Sequence, residues 1–179
     1  MTVAHFEHVD CSRIEAKFFS DNQHRATLLI PFQGRKGGKT LCLVGQNPSA
    51  ANEQHADKTI HFLEKYVFER WKQYDQILML NLYSRVDTKK TATSGINHAG
   101  CEALLREAIA SHTEFLFVFG KLRNQGAYRF SERVRELQPL FSGKVLYKLD
   151  IGTTYAPHPG NRAIHYYKTD IELARYVFS

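Results

Sequence analysis

The chain has 179 residues, enough to fill one hydrophobic core, so a single domain over residues 1–179 is expected. Its composition is that of an ordinary globular protein, and a net charge of +6 with a sequence pI of about 9.2 favours polyanionic partners such as nucleic acid. No apolar run is long enough to cross a membrane, no stretch reads as a secretory leader, and three scattered cysteines (Cys11, Cys42, Cys101) give no disulfide framework; these argue against a membrane protein or a stapled secreted domain and for the cytoplasm.

In chain order, Ser12-Arg13-Ile14-Glu15 matches a capping box and predicts a short helix over residues 13–19. Residues 26–32 read as a strand, 34–39 as a glycine-rich basic turn, and 40–44 as a second strand, which suggests an antiparallel hairpin leading into a sheet. Gly38-Lys39-Thr40 is not a P-loop: the first glycine is out of register and the segment precedes a strand instead of following one. Asp57 is placed to cap a helix reaching about Tyr74, with Ile60, Leu63, Val67 and Trp71 on one face. A strand over 76–83 and a helix over 98–111 follow, then a strand over 114–119 closed by Gly120. A helix over 127–137 carries Phe130, Val134 and Leu137; a strand over 144–149, a turn-rich loop over 150–162 and a last helix over 169–177 complete the reading. Alternating strands and helices predict an α/β fold with a mainly parallel four-stranded sheet between helical layers, preceded by an N-terminal strand or hairpin.

Unusual polar residues follow each of the four parallel strands. Gln46 and Asn47 follow the first, Asn81 ends the second, Gly120 and Lys121 follow the third, and His158-Pro159 follows the fourth. Parallel strands share one carboxyl rim, where ligands of open α/β sheets bind. The loop Gly45-Gln46-Asn47-Pro48-Ser49-Ala50-Ala51 suits such a site, with Gly45 permitting close backbone approach and Pro48 stiffening the turn.

Gly45-Gln46-Asn47-Pro48 resembles the first motif of the uracil-DNA glycosylase superfamily. Ile77-Leu78-Met79-Leu80-Asn81 is similar to its asparagine-ended strand, Leu116 to Lys121 to its third motif strand, and His158-Pro159-Gly160-Asn161 to its His-Pro-Ser motif. Asn47-Pro48-Ser49-Ala50-Ala51-Asn52, with Asp57-Lys58-Thr59-Ile60, also resembles an uncharacterised bacterial family (DUF1643). The resemblance spans Thr40 to about Tyr167 and implies a three-layer α/β/α sandwich with strands ordered second, first, third, fourth.

It further implies a monofunctional DNA glycosylase that hydrolyses the N-glycosidic bond of a flipped base and needs no cofactor or metal, for base repair or for attack on modified phage DNA. Asn47 would position water and His158 would hydrogen-bond the leaving base. Gly45, Gln46, Ser49 and Asn81 would line the base site. Lys121, Gly160, Asn161 and Arg162 would meet DNA, with residues 161–164 entering the duplex. DNA is then the partner, and a monomer is expected. Two departures matter. Asn47 stands where many relatives carry a catalytic aspartate, and an amide cannot act as a general base. Ser49 stands where some carry a tyrosine that excludes pyrimidine 5-substituents, so a modified or damaged pyrimidine is the expected base. Phe62, Tyr66 and Phe68 are candidates for stacking on it, although core roles suit them. Alternatives are a non-catalytic nucleic-acid or nucleotide-binding module and a hydrolase or transferase of free nucleosides or nucleotides.

Overall fold

A computed structural model describes residues 2–178. The strands are β1 (Thr2–Val3), β2 (Glu15–Phe19), β3 (His24–Pro31), β4 (Lys39–Gly45), β5 (Ala56–Asp57), β6 (Tyr74–Asn81), β7 (Glu114–Phe117), β8 (Val145–Leu149) and β9 (Leu173–Arg175). The helices are α1 (Lys58–Arg70), α2 (Ala99–Ser111) and α3 (Phe130–Leu137). Seven strands form one mixed sheet in the order β2-β3-β6-β4-β7-β8-β9. Its centre, β6-β4-β7-β8, is parallel and follows the second-first-third-fourth order, an arrangement shared with flavodoxin-like doubly wound sheets. Antiparallel strands flank it on both sides.

The alternation of side chains along the strands builds the layers. Leu41, Leu43, Ile77, Met79, Leu116 and Val118 join Ile60, Leu63 and Val67 of α1 in one apolar cluster. Cys42, Val44, Leu78, Leu80, Phe115 and Phe117 join Leu105 and Ile109 of α2 and Val134 and Leu137 of α3 in the other. Both faces of the central strands are therefore covered, which is why these strands read as continuous apolar runs. Each fully buried leucine or valine contributes about 1.5–3 kcal/mol relative to exposure.

Helix α1 begins where expected: the Asp57 carboxylate accepts the Ile60 N–H at 2.8 Å. It stops at Arg70, short of Tyr74; the Arg35 guanidinium donates to Phe68 O in its last turn, to Trp71 O at the cap at 3.3 Å, and to Tyr74 O at the head of β6 at 2.8 Å. All three cysteines are free, with Cys42 and Cys101 buried in the core.

The structure corrects three expectations. Beyond a single 3-10 turn at Cys11–Arg13, residues 14–19 are not helical: the Ser12 hydroxyl donates to Asp10 Oδ1 at 2.6 Å instead of capping a helix, Ile14 is extended, and β2 pairs with β3. Strands β3 and β4 do not form a hairpin, because β6 lies between them, antiparallel to β3 and parallel to β4. The turn at residues 34–38, with Gly34 and Gly37 at φ 71° and 78°, therefore spans two strand spacings, about 10 Å. The C-terminal segment forms β9 rather than a helix. Ile171 and Leu173 face one cluster while Tyr176 and Phe178 face the other, and main-chain pairing with β8 favours the two-residue period over the helical one.

Candidate functional site

The loops after β4, β7 and β8 and the start of α1 enclose a cavity of about 750 Å³ at the carboxyl rim of the parallel strands. Gly45, Gln46, Asn47, Ser49, Lys121 and His158 all line it. Asn81 does not line the cavity: it sits beside Gly45 as its partner on the neighbouring strand β6, with 6% of its surface exposed. A β-carbon on Gly45 would sit 2.7 Å from Met79 Cε and 3.0 Å from Asn81 Nδ2, so glycine is what lets the Asn81 amide approach the floor. Gly160, Asn161 and Arg162 form the turn after His158, outside the cavity wall.

The loop after β4 is held rigidly. Leu82 N donates to Gly45 O at 2.9 Å and Tyr83 N to Gln46 O at 3.1 Å, which prolongs the parallel pairing into the loop. Gln46 Nε2 donates to Lys121 O at 3.2 Å and ties two rim loops together. Asn47 Nδ2 donates to Arg85 O at 3.3 Å, while its buried Oδ1 has no partner. Ser49 Oγ accepts the Ala51 N–H at 3.2 Å, leaving its own hydrogen free to donate.

His158 is positioned by glycines on both sides. Gly120, at φ 72°, leaves room for it: a β-carbon there would stand 3.3 Å from His158 Cβ. The Gly160 N–H donates to His158 Nδ1 at 3.0 Å, so the neutral ring carries its proton on Nε2, which faces Thr59 Oγ1 at 3.3 Å. Burial, together with nearby Lys90, lowers the His158 pKa, against the opposing pull of Asp57. The ring is therefore a neutral N–H donor on the cavity wall.

Arg25 was not legible as a site residue. It is 1% exposed and lines the cavity, donating to Ala51 O at 2.9 Å and Asn81 Oδ1 at 3.3 Å. Burial lowers its pKa to about 10, which leaves it charged at neutral pH. The one available signal was a charged residue at the head of an apolar strand. Lys90 was also missed; it reaches the wall from a turn in which the Asp87 carboxylate accepts the Ala92 N–H at 2.9 Å. Arg25, Lys58, Lys90 and Lys121 thus face the cavity against the single carboxylate of Asp57.

Three of the four buried side-chain polar atoms without a partner among the described residues gather here: Arg25 Nε, Asn47 Oδ1 and Asn81 Nδ2. Each such atom costs on the order of 1–3 kcal/mol unless something pairs with it.

The core roles that suit Phe62, Tyr66 and Phe68 hold, and one loop expectation changes. Phe62 and Tyr66 are core residues, and Phe68 packs against that core and stacks on His8, so none reaches the cavity. Phe119 and Tyr166 line it instead. Ile164, expected to enter a duplex, is 0% exposed and belongs to the core; the protruding ring of that turn is Tyr167, 75% exposed. A second cavity of about 360 Å³, lined by Tyr155 and Tyr176, shares Phe119, Gly120 and Lys121 with the first. Among the described residues no group of three or more His, Cys, Asp or Glu could hold a metal ion, and no helix is long and apolar enough to cross a membrane.

Fold and site together define an open α/β protein with a polar, positively charged crevice at the carboxyl rim of its parallel strands. The chain belongs to the family described as Protein of unknown function (DUF1643), whose family model matches residues 31–159. That stretch contains Gly45 to Ser49, Asn81, Lys121 and His158, but not Arg25 or the turn from Gly160 to Arg162. No curated protein and no solved structure matches the chain.

Proposed function

We propose that this crevice is the base pocket of a DNA glycosylase of the uracil-DNA glycosylase type, acting on a modified or damaged pyrimidine. The observation that carries the reading is that Asn47, whose amide oxygen has no partner, and His158, a neutral imidazole with its N–H toward Thr59 Oγ1, both line the same cavity. A base inside a duplex is out of reach, so the target nucleotide must flip into the crevice. Asn47 Oδ1 then accepts a hydrogen bond from a water and holds it toward the anomeric carbon. The glycosidic C–N bond breaks with its electron pair going to the base. The water oxygen bonds to the sugar, and its proton is released to solvent. His158 Nε2–H stabilises the charge gathering on the departing base, an electrostatic contribution of on the order of 2.7–4 kcal/mol for a well-placed donor. Lys58 and Lys121, exposed at the mouth, supply charge for the DNA backbone.

The test is purified protein on a panel of duplexes bearing modified pyrimidines, assayed for abasic sites. Product from at least one duplex, lost in His158→Ala, supports the reading; intact DNA throughout the panel rejects it. The cluster of cations around the crevice favours a second reading, a hydrolase of free nucleotides. Release of base from a mononucleotide, with no salt-sensitive DNA binding, identifies that activity.

A further inference from the structure

The cavity of about 360 Å³ beside the crevice is used by no step of the proposed reaction. Phe119, Gly120 and Lys121 line both spaces, so the two meet along this stretch. Three residues span no more than about 11 Å. Gly120 has no side chain, so a ligand can pass close to its backbone. The stretch is held in place: Gln46 Nε2 donates to Lys121 O at 3.2 Å, and Gly120 N donates to Ala156 O at 2.9 Å.

The second cavity combines flat rings with positive charge. Tyr155, from the loop after β8, and Tyr176 and Phe178, from the chain beyond β9, are each half-buried on its wall. Tyr176 packs edge-on against Phe117 and Phe119, with ring centroids 4.9 and 6.0 Å apart, and the Asn161 amide donates to Tyr155 Oη at 3.2 Å. Rings fixed in this way offer a rigid surface to another flat ring. Lys121 and Arg135 are exposed on the same lining, and Lys121 Nζ stands 5.3 Å over the Tyr155 ring. Glu136, next to Arg135 in sequence, is taken up by Arg106 and Arg133 at 2.7 and 2.9 Å. No Asp or Glu among the described residues lines this cavity. Aromatic rings beside cations, with no acid among them, suit a stacked base and its phosphate.

We propose that this cavity is a second nucleoside subsite: it holds the base of the nucleotide next to the flipped one on the same strand, with the linking phosphate at Lys121, where the two cavities meet. The inference rests on reading the crevice as a base pocket. It makes the recognised unit a dinucleotide with both bases unstacked, so the target strand is single or locally opened over two nucleotides. Stacking of the second base is worth on the order of ten- to a hundredfold in affinity.

Calorimetric titration of the whole protein tests the inference without requiring cleavage. The probes are thymidine 5′-monophosphate, thymidine 3′,5′-bisphosphate and the 5′-phosphorylated dinucleotide of thymidine. The last two carry the same number of phosphates and differ by the second nucleoside. Wild type is expected to bind the dinucleotide on the order of tenfold more tightly than the bisphosphate. Tyr155→Leu and Tyr176→Leu remove a flat ring but keep apolar bulk, and at least one is expected to lose most of that gain. Thermal melting checks that each variant folds, and the monophosphate, which reaches only the crevice, reports on the crevice itself. Equal binding of dinucleotide and bisphosphate by wild type makes the cavity at most a phosphate site; it overturns the inference and leaves the base pocket standing. A gain that survives in both folded variants also overturns it. Failure of all three probes to bind overturns it together with the base pocket. A gain lost in a folded variant, with no base released from any duplex of the panel, supports the subsite and rejects the glycosylase alone.

Discussion

His158 Nδ1 accepts the backbone N–H of Gly160 at 3.0 Å, and this one bond fixes both the turn and the tautomer of the ring. Protonating the ring would set two donors against each other there. Burial and Lys90 hold the His158 pKa below 6.5, while an unfolded chain titrates near 6.5. Between those two values the unfolded state binds the proton and the folded state does not. Stability is therefore complete above pH 6.5 and is lost as pH falls through the window. Urea midpoints at a series of pH values should fall on acidification, and less steeply in His158→Gln, whose side-chain oxygen can still accept the Gly160 N–H. Base release should follow with an acid limb centred below pH 6.5. An acid limb centred above pH 7 would show that the charged ring is not the excluded form.

Gly45→Ala tests the packing under the cavity. The new methyl group would meet Met79 Cε at 2.7 Å and Asn81 Nδ2 at 3.0 Å. The methionine end can swing aside, but the amide is held by Arg25. A loss of about 1–3 kcal/mol in chemical denaturation is expected from such overpacking. Ligand binding should fall further than stability alone accounts for, because the amide shifts with it.

The N-terminal segment is anchored by a buried pair. His5 Nδ1 meets Glu64 Oε1 at 2.6 Å, and the Phe6 N–H donates to Glu64 Oε2 at 2.8 Å. Burial opposes charge on His5, yet the hydrogen bond and field of Glu64 outweigh it and raise the pKa. The stabilising contribution is then fully present below the unfolded value near 6.5 and is lost as pH rises through the folded one. The stability difference between wild type and His5→Gln should shrink across that rise. Glu64→Gln, which leaves a buried partner short of its charge, should cost about 3–5 kcal/mol.

The parts of this fold that could be read from sequence are those whose signal is local. The central strands β4, β6, β7 and β8 are apolar on both faces, and α1 carries an apolar stripe and a cap at Asp57. The edge strands β2 and β9 were misread because their short apolar patterns fit a helix as well as a strand, and only pairing with β3 and β8 decides between them. The same holds for the site. The residues after the strands were legible because parallel strands share a rim. Arg25 was not, since its partners Ala51 and Asn81 lie 26 and 56 residues away in sequence. Ile164 was misassigned because nothing local distinguishes a loop residue turned into the core from one turned outward.

DNA binding, if it is the function of the basic surface, should weaken linearly in log affinity with log salt, with a slope of about −0.9 for each phosphate neutralised. Lys121 is exposed at the cavity mouth and Arg162 is exposed on the turn after His158. Lys121→Gln and Arg162→Gln should each reduce the slope by about one. Tyr167→Ala should weaken duplex binding more than its small effect on stability, since its ring is 75% exposed. A salt slope that neither charge variant changes places the DNA elsewhere on the protein.

On the proposed base-pocket reading, Ser49 sets how large a base the crevice accepts. It lines the cavity beside Ala50, and its hydroxyl accepts the Ala51 N–H at 3.2 Å, so its side chain stays against its own loop. The volume that a tyrosine ring would occupy is left to the ligand, and the cavity of about 750 Å³ is generous for a bare pyrimidine. A base with a bulky or polar 5-substituent fills that space, and the Ser49 hydrogen remains free to donate to a hydroxymethyl group or a sugar. Plain uracil would be held loosely, and loose positioning of a reacting group costs rate. Side-by-side rates on duplexes carrying uracil and a 5-substituted uracil should favour the substituted base in wild type. Ser49→Tyr should reverse the order by excluding the substituent while steadying uracil. Should wild type remove uracil faster, with the tyrosine variant undiminished on the substituted base, the volume beside Ser49 is not where the substituent goes.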